Sequence, residues 1–139
     1  MKTLMLLVCS AALASAAPVP KELKKDDLGR FVGEWWECRF ENTVYEDAAK
    51  ARRFTFDKDG ALGIRQNAGA MPTEYMIVMD PKTTPPSFAL HTKTGLIYNA
   101  IYHLEADSLR FVLTQPNKPL AKDVKFGAGD VYYELKRVK

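Results

Sequence analysis

From Phe88 to Leu113 the chain carries an apolar residue at every second position, interrupted only by two turns. Phe88 and Leu90 lead to a turn at Lys93-Thr94-Gly95; Leu96, Tyr98, Ala100, Tyr102 and Leu104 then alternate without a break. Glu105-Ala106-Asp107-Ser108 turns the chain again, and Leu109, Phe111 and Leu113 resume the pattern. A period of two puts alternate side chains on opposite faces of a strand, so each run is a strand with one apolar face. If both turns are tight hairpins, Leu90 lies across from Tyr98 and Tyr102 across from Phe111. The alternating apolar residues just named then all share one face, and a slip of one residue at either turn would break that agreement.

The same period recurs on both sides. Trp35 to Phe40 reads as a strand, as does Arg52 to Phe56, where Phe54 and Phe56 share a face. Asp57-Lys58-Asp59-Gly60 supplies turn chemistry before a return strand through Leu62 and Ile64. Glu74 to Met79 is another strand, ended by Asp80-Pro81 and Pro85-Pro86, because proline cannot donate to a ladder. A loop from Gln115 to Gly129 precedes a last strand through Val131, Tyr133 and Leu135. Ahead of all these, Leu28, Phe31 and Val32 make one apolar edge of a short helix within residues 21–32, expected to plug or lean on one end of the domain. About eight short strands with almost no helix predict an all-β fold, either a sandwich or an up-and-down barrel. Successive hairpins favour the meander, and closure removes exposed sheet edges. The expected architecture is a small antiparallel up-and-down barrel with a short N-terminal helix.

Residues 1–16 read as a secretory signal: Lys2 near the start, an apolar run through Leu13, and Ala14-Ser15-Ala16 as the cleavage site. The apolar run is too short to span a bilayer, which takes about 20 residues. Cleavage after Ala16 leaves one domain, 17–139, in the periplasm or outside the cell. Cys38 is then the only cysteine, so no intrachain disulfide forms and the core alone holds the fold. The formal charge of +3 falls by one with Lys2. That is a mixed, solvated surface without a basic stripe, and Arg52-Arg53 alone hints at nucleic acid, which we set aside.

Gly33-Glu34-Trp35 opens the first strand with the G-x-W signature of lipocalin-like barrels. Asp80-Pro81-Lys82, Ile101-Tyr102-His103-Leu104, Asp107-Ser108-Leu109, Lys118-Pro119 and Leu135-Lys136-Arg137 follow in order. Together these resemble an uncharacterised lipocalin-like domain family abundant in planctomycete bacteria, over essentially the whole chain after the signal. The resemblance implies the barrel and a pairing of Trp35 with Arg137 at its closed end; the family brings no established activity. Lys118-Pro119 stands where that family has Arg-Pro, Phe111-Val112-Leu113 lacks its cysteine, and Glu37 replaces an apolar residue.

Few enzyme chemistries have their residues here, and we expect no catalysis. After the signal the serines are Ser87 and Ser108, with no G-x-S-x-G. His91 and His103 fall on the face opposite the core, and His103 pairs with Arg110, a poor neighbour for a cation. Asp57-Lys58-Asp59-Gly60 lacks calcium ligands further along, at Ala61 and Ala68. Neither a metal nor a cofactor is expected. The face of Phe88, Leu90, Tyr98, Tyr102, Phe111 and Leu113 is either a filled core or the wall of a ligand cavity, since a barrel of about eight strands allows both. Glu37 and Arg39, two apart, share the face of Trp35 and would place an acid and a base inside; alternatively a bulge turns them to solvent, or Trp36, Cys38 and Phe40 form the buried face. Ile97, Ile101 and Val112 adjoin on the outer face and mark a packing partner, the N-terminal helix or another subunit. Two function classes remain: a carrier of a small apolar or amphipathic molecule, and an interaction module with a filled barrel.

Overall fold

A computed structural model describes residues 26–67, 69–80, 82–127 and 130–139. The expected signal and residues 17–25 lie outside the described residues. Helix α1 spans Asp26–Phe31. Nine strands follow among the described residues: β1 Gly33–Phe40, β2 Thr43–Val44, β3 Arg53–Phe56, β4 Ala61–Arg65, β5 Thr73–Asp80, β6 Ser87–His91, β7 Ile97–Leu104, β8 Ser108–Thr114 and β9 Val131–Arg137. Each pairs antiparallel with its neighbour, and β9 returns to β1, closing an eight-stranded barrel of β1 and β3 to β9. The two-residue β2 pairs only with the Arg39–Phe40 end of β1. Leu90 opposes Tyr98 and Tyr102 opposes Phe111, in the register that the alternation predicts.

Local chemistry fixes the turns. Asp57 Oδ1 accepts the amides of Asp59 and Ala61, which folds the β3–β4 hairpin. Gly60 follows at φ +89°, and a Cβ there would sit 2.8 Å from the carbonyl oxygen of Ile77, so backbone packing and dihedral both demand glycine.

The barrel is solid at one end. Phe31 of α1 is fully buried, edge-on to Phe56 at 5.3 Å, Tyr102 at 5.1 Å and Phe88 at 6.0 Å. A helix ends with carbonyls that have no partner within it. Here the Trp35 indole donates to Phe31 O at 2.7 Å, and Arg137 donates Nη2 to Arg30 O at 2.6 Å and Nη1 to Val32 O at 2.9 Å. The Arg137 guanidinium also lies over the Trp35 ring, 4.1 Å from its centroid. Gly33 makes room for it, because a Cβ at this position would come within 3.0 Å of Arg137 Nη1.

A second, smaller core lies outside the barrel wall. Ile101 and Val112 are buried together with Tyr132, and Ala121 and Val124 from the β8–β9 connection pack onto them. This corrects the expectation of an oligomer surface at Ile97, Ile101 and Val112. The chain's own loop covers two of the three, and only Ile97 stays exposed, at 44%.

Candidate functional site

The other end of the barrel is hollow. A cavity of about 270 Å³ opens there, bounded by Phe54, Phe56, Leu62, Ile64, Tyr75, Phe88, Leu90, Thr92, Tyr98, Phe111, Leu113 and Tyr133. Phe56 and Phe88 touch both Phe31 and the cavity, so they form its floor. Tyr133 stacks on Phe111 with centroids 4.6 Å apart and planes 11° from parallel, which stiffens one wall. All these residues lie on inward positions of their strands except Thr92, which begins the β6–β7 turn at the rim.

Phe88, Leu90, Tyr98 and Phe111 line this cavity; three of the expected ligand residues do not. Tyr102 belongs to the plug. Its ring packs on Phe31 and Phe88, and its hydroxyl donates to Asp27 Oδ2 of α1. Burial, followed by the bonded Asp27 carboxylate, raises the Tyr102 pKa far above the usual phenol range. A hydroxyl committed to the helix cannot serve a guest at the opposite end.

Glu37 and Arg39 are separated by a bulge. Glu37 opposes Leu135 and Arg39 opposes Glu134, so Cys38 is an extra residue that reverses the parity of the strand. Glu37 points inward and is fully buried. Arg39 points outward, its Nε on Glu41 O and its guanidinium 4.4 Å from the Phe126 ring centroid. Cys38 is buried with Sγ donating to Glu134 O, and burial together with the Glu134 charge pushes its thiol pKa up, as for an inert thiol.

The partner of Glu37 is Arg52, whose Nε and Nη2 each reach one carboxylate oxygen, at 2.9 and 2.5 Å. The guanidinium lies 4.7 Å from the Phe40 ring centroid and 5.7 Å from that of Tyr133. Burial opposes the charge on Arg52, but the hydrogen bond and charge of Glu37 outweigh it and hold the pKa above the ordinary guanidinium value. Tyr133 is pushed up by burial; Arg52 pulls it back and Glu37 adds to the rise, leaving a neutral phenol at physiological pH. The sequence gives Arg52, Tyr75 and Tyr133 no role in the site, although strand parity marks them: Arg52 is two from Phe54, Tyr75 two from Ile77, and Tyr133 two from Leu135.

Among the described residues no group of three or more His, Cys, Asp and Glu is placed to hold a metal, and no helix is long and apolar enough to cross a membrane. His103 sits outside the barrel with Nε2 3.1 Å from Glu105 Oε1. No family model, curated protein or solved structure matches the chain.

Proposed function

We propose that this protein is a non-enzymatic carrier that holds one small, largely apolar molecule in the open end of its barrel, exported by the segment 1–16 and related to the lipocalin-like family it resembles. The observation that carries the reading is the aromatic cavity of about 270 Å³ above a solid floor. A barrel whose purpose was only rigid scaffolding would gain stability by filling that volume, because close packing is what buried side chains otherwise achieve. The ring stacking of Tyr133 on Phe111 holds the wall before any guest arrives, and a preformed site binds without an ordering cost. Kinship with lipocalin-like barrels draws support from Trp35 and Arg137 closing the end against a short helix.

The test is calorimetric titration with 2-naphthol, an uncharged two-ring probe. Wild type is expected to bind it with one-to-one stoichiometry. Leu90→Trp, which pushes an indole into the cavity, is expected to abolish binding while the protein stays folded by circular dichroism. Equal binding by the two proteins would move the site elsewhere, and absence of binding to wild type would favour the scaffold.

A further inference from the structure

Resting on the carrier reading, we propose that Glu37 sets the specificity of the cavity: by holding Arg52, it makes the site select uncharged one- or two-ring molecules bearing a hydroxyl or carbonyl, and reject carboxylates of the same shape. Size comes first. A cavity of roughly 150 Å³ lined by apolar side chains takes benzene. The cavity here is nearly twice as large, at about 270 Å³, enough for one or two fused rings and too short for a long acyl chain. Shape agrees, since the walls are largely the flat faces and edges of Phe54, Phe88, Phe111, Tyr75, Tyr98 and Tyr133.

Charge comes next. No Asp, Glu, Lys, Arg or His is among the described residues lining the cavity. The hydroxyls of Tyr75 and Tyr98 hydrogen-bond to none of the described residues and are not sealed from solvent, so each can donate to or accept from a guest. Arg52 stands behind the Tyr133 wall, and it offers an incoming carboxylate little. Its Nε and Nη2 are occupied by Glu37, which is fully buried and has no room to swing away. A guest carboxylate drawn to Arg52 would therefore meet a fixed like charge, and it would leave water for a site with no other charged group to receive it. A hydroxyl or carbonyl faces neither cost. Most barrels with an arginine at the mouth could use it to catch an acid; this one has it already caught.

The experiment compares 2-naphthol with 2-naphthoate, near-isosteres that differ in charge at neutral pH. Wild type is expected to bind the naphthol at least about tenfold more tightly, a difference of about 1.4 kcal/mol. Glu37→Gln frees the guanidinium and is expected to raise naphthoate affinity by about tenfold or more, with naphthol changed less than about threefold. The double replacement Glu37→Gln with Arg52→Gln removes both charges; it should keep naphthol binding and reject naphthoate as wild type does. If Glu37→Gln does not fold, Glu37→Met, an apolar side chain of similar volume that also frees Arg52, takes its place with the same expectation, and an unchanged preference in it overturns the role. Equal affinity of wild type for both probes overturns the specificity role while leaving the carrier reading intact. An unchanged preference in folded Glu37→Gln also overturns it. Failure of wild type to bind either probe overturns the carrier reading, and this inference with it.

Discussion

Replacing Arg137 tests how the closed end is held. The substitution Arg137→Ala removes three close contacts, a guanidinium lying 4.1 Å from the Trp35 centroid, a bond to Val32 O at 2.9 Å and one to Arg30 O at 2.6 Å, together with long, exposed contacts to Ala106 O at 3.4 Å and Asp107 at 3.9 Å that contribute little. The ring contact is worth about 0.5–1 kcal/mol at a partly wet site. A hydrogen bond from a charged donor contributes about 1.5–3 kcal/mol when its acceptor would otherwise be stranded. The bond to Val32 O is part-buried, so it counts near the lower bound. The bond to Arg30 O is exposed, and with 27% of the Arg137 side chain open, water replaces most of it. The sum is a loss of about 2–3 kcal/mol, which in urea at a slope of about 1–3 kcal/mol per molar moves the midpoint by roughly 0.7–3 M. Equilibrium unfolding followed by tryptophan fluorescence reads this directly, since Trp35 reports on the site. Arg137→Lys should recover only part of it, because an ammonium cannot span two carbonyls and cover the ring. A loss below about 0.5 kcal/mol for Arg137→Ala, the range of ordinary surface changes, would refute the closure described above.

Two further outcomes follow from the plug and the outer core. The Tyr102 pKa is raised from its ordinary 10.0, so its contribution is complete below pH 10 and declines above it, as the unfolded phenol ionises and the folded one does not. Tyr102→Phe should cost about 1–2 kcal/mol at neutral pH through the lost bond to Asp27, and should shallow the alkaline fall in stability; identical alkaline slopes in urea titrations at several pH values would contradict this. Val124→Asp should lift the β8–β9 connection from Ile101, Val112 and Tyr132, costing about 1–3 kcal/mol and exposing an apolar patch that self-associates in sedimentation velocity. Unchanged sedimentation and stability would show that the loop does not cover that core.

The barrel was legible because its central hairpins constrain each other: two turns and one apolar face leave one register for β6 to β8. What escaped the alternation was whatever interrupts it. A bulge in β1 is among the readings the sequence allows, but no residue type there fixes its place at Cys38, after Glu37 and before Arg39, so only Arg39 points away and Arg52 takes its place. The short β2 has only Thr43 and Val44, too few residues for a period to show. Tyr102 fell on the predicted inner face, but face alone does not say which end of a barrel a residue occupies. That depends on strand stagger and on where α1 docks, and both are set by contacts distant in sequence, such as Tyr102 with Asp27. The cover over Ile101 and Val112 comes from a segment without periodicity, where pattern has nothing to read.

The connections of the barrel are unequal, and this has a consequence for how such a protein can change. At the plugged end the strands are joined by short reversals, between β3 and β4 and between β7 and β8, with only the β5–β6 connection somewhat longer. At the mouth the links from β2 to β3, from β4 to β5 and from β8 to β9 are longer, only the β6–β7 turn is short, and Arg52, Ile64 and Leu113 stand at or within one residue of the long links. Surface connections tolerate insertion and replacement far better than the elements they join. The hydrogen bonds that anchor the fold run from Trp35 and Arg137 to the carbonyls of Arg30, Phe31 and Val32 and involve none of these mouth residues. Mutation can therefore redraw the rim, and with it the preference for one guest over another, without loosening the base. The chain is laid out as a foundation with an interchangeable upper storey, which makes its open rim the natural place to graft new recognition.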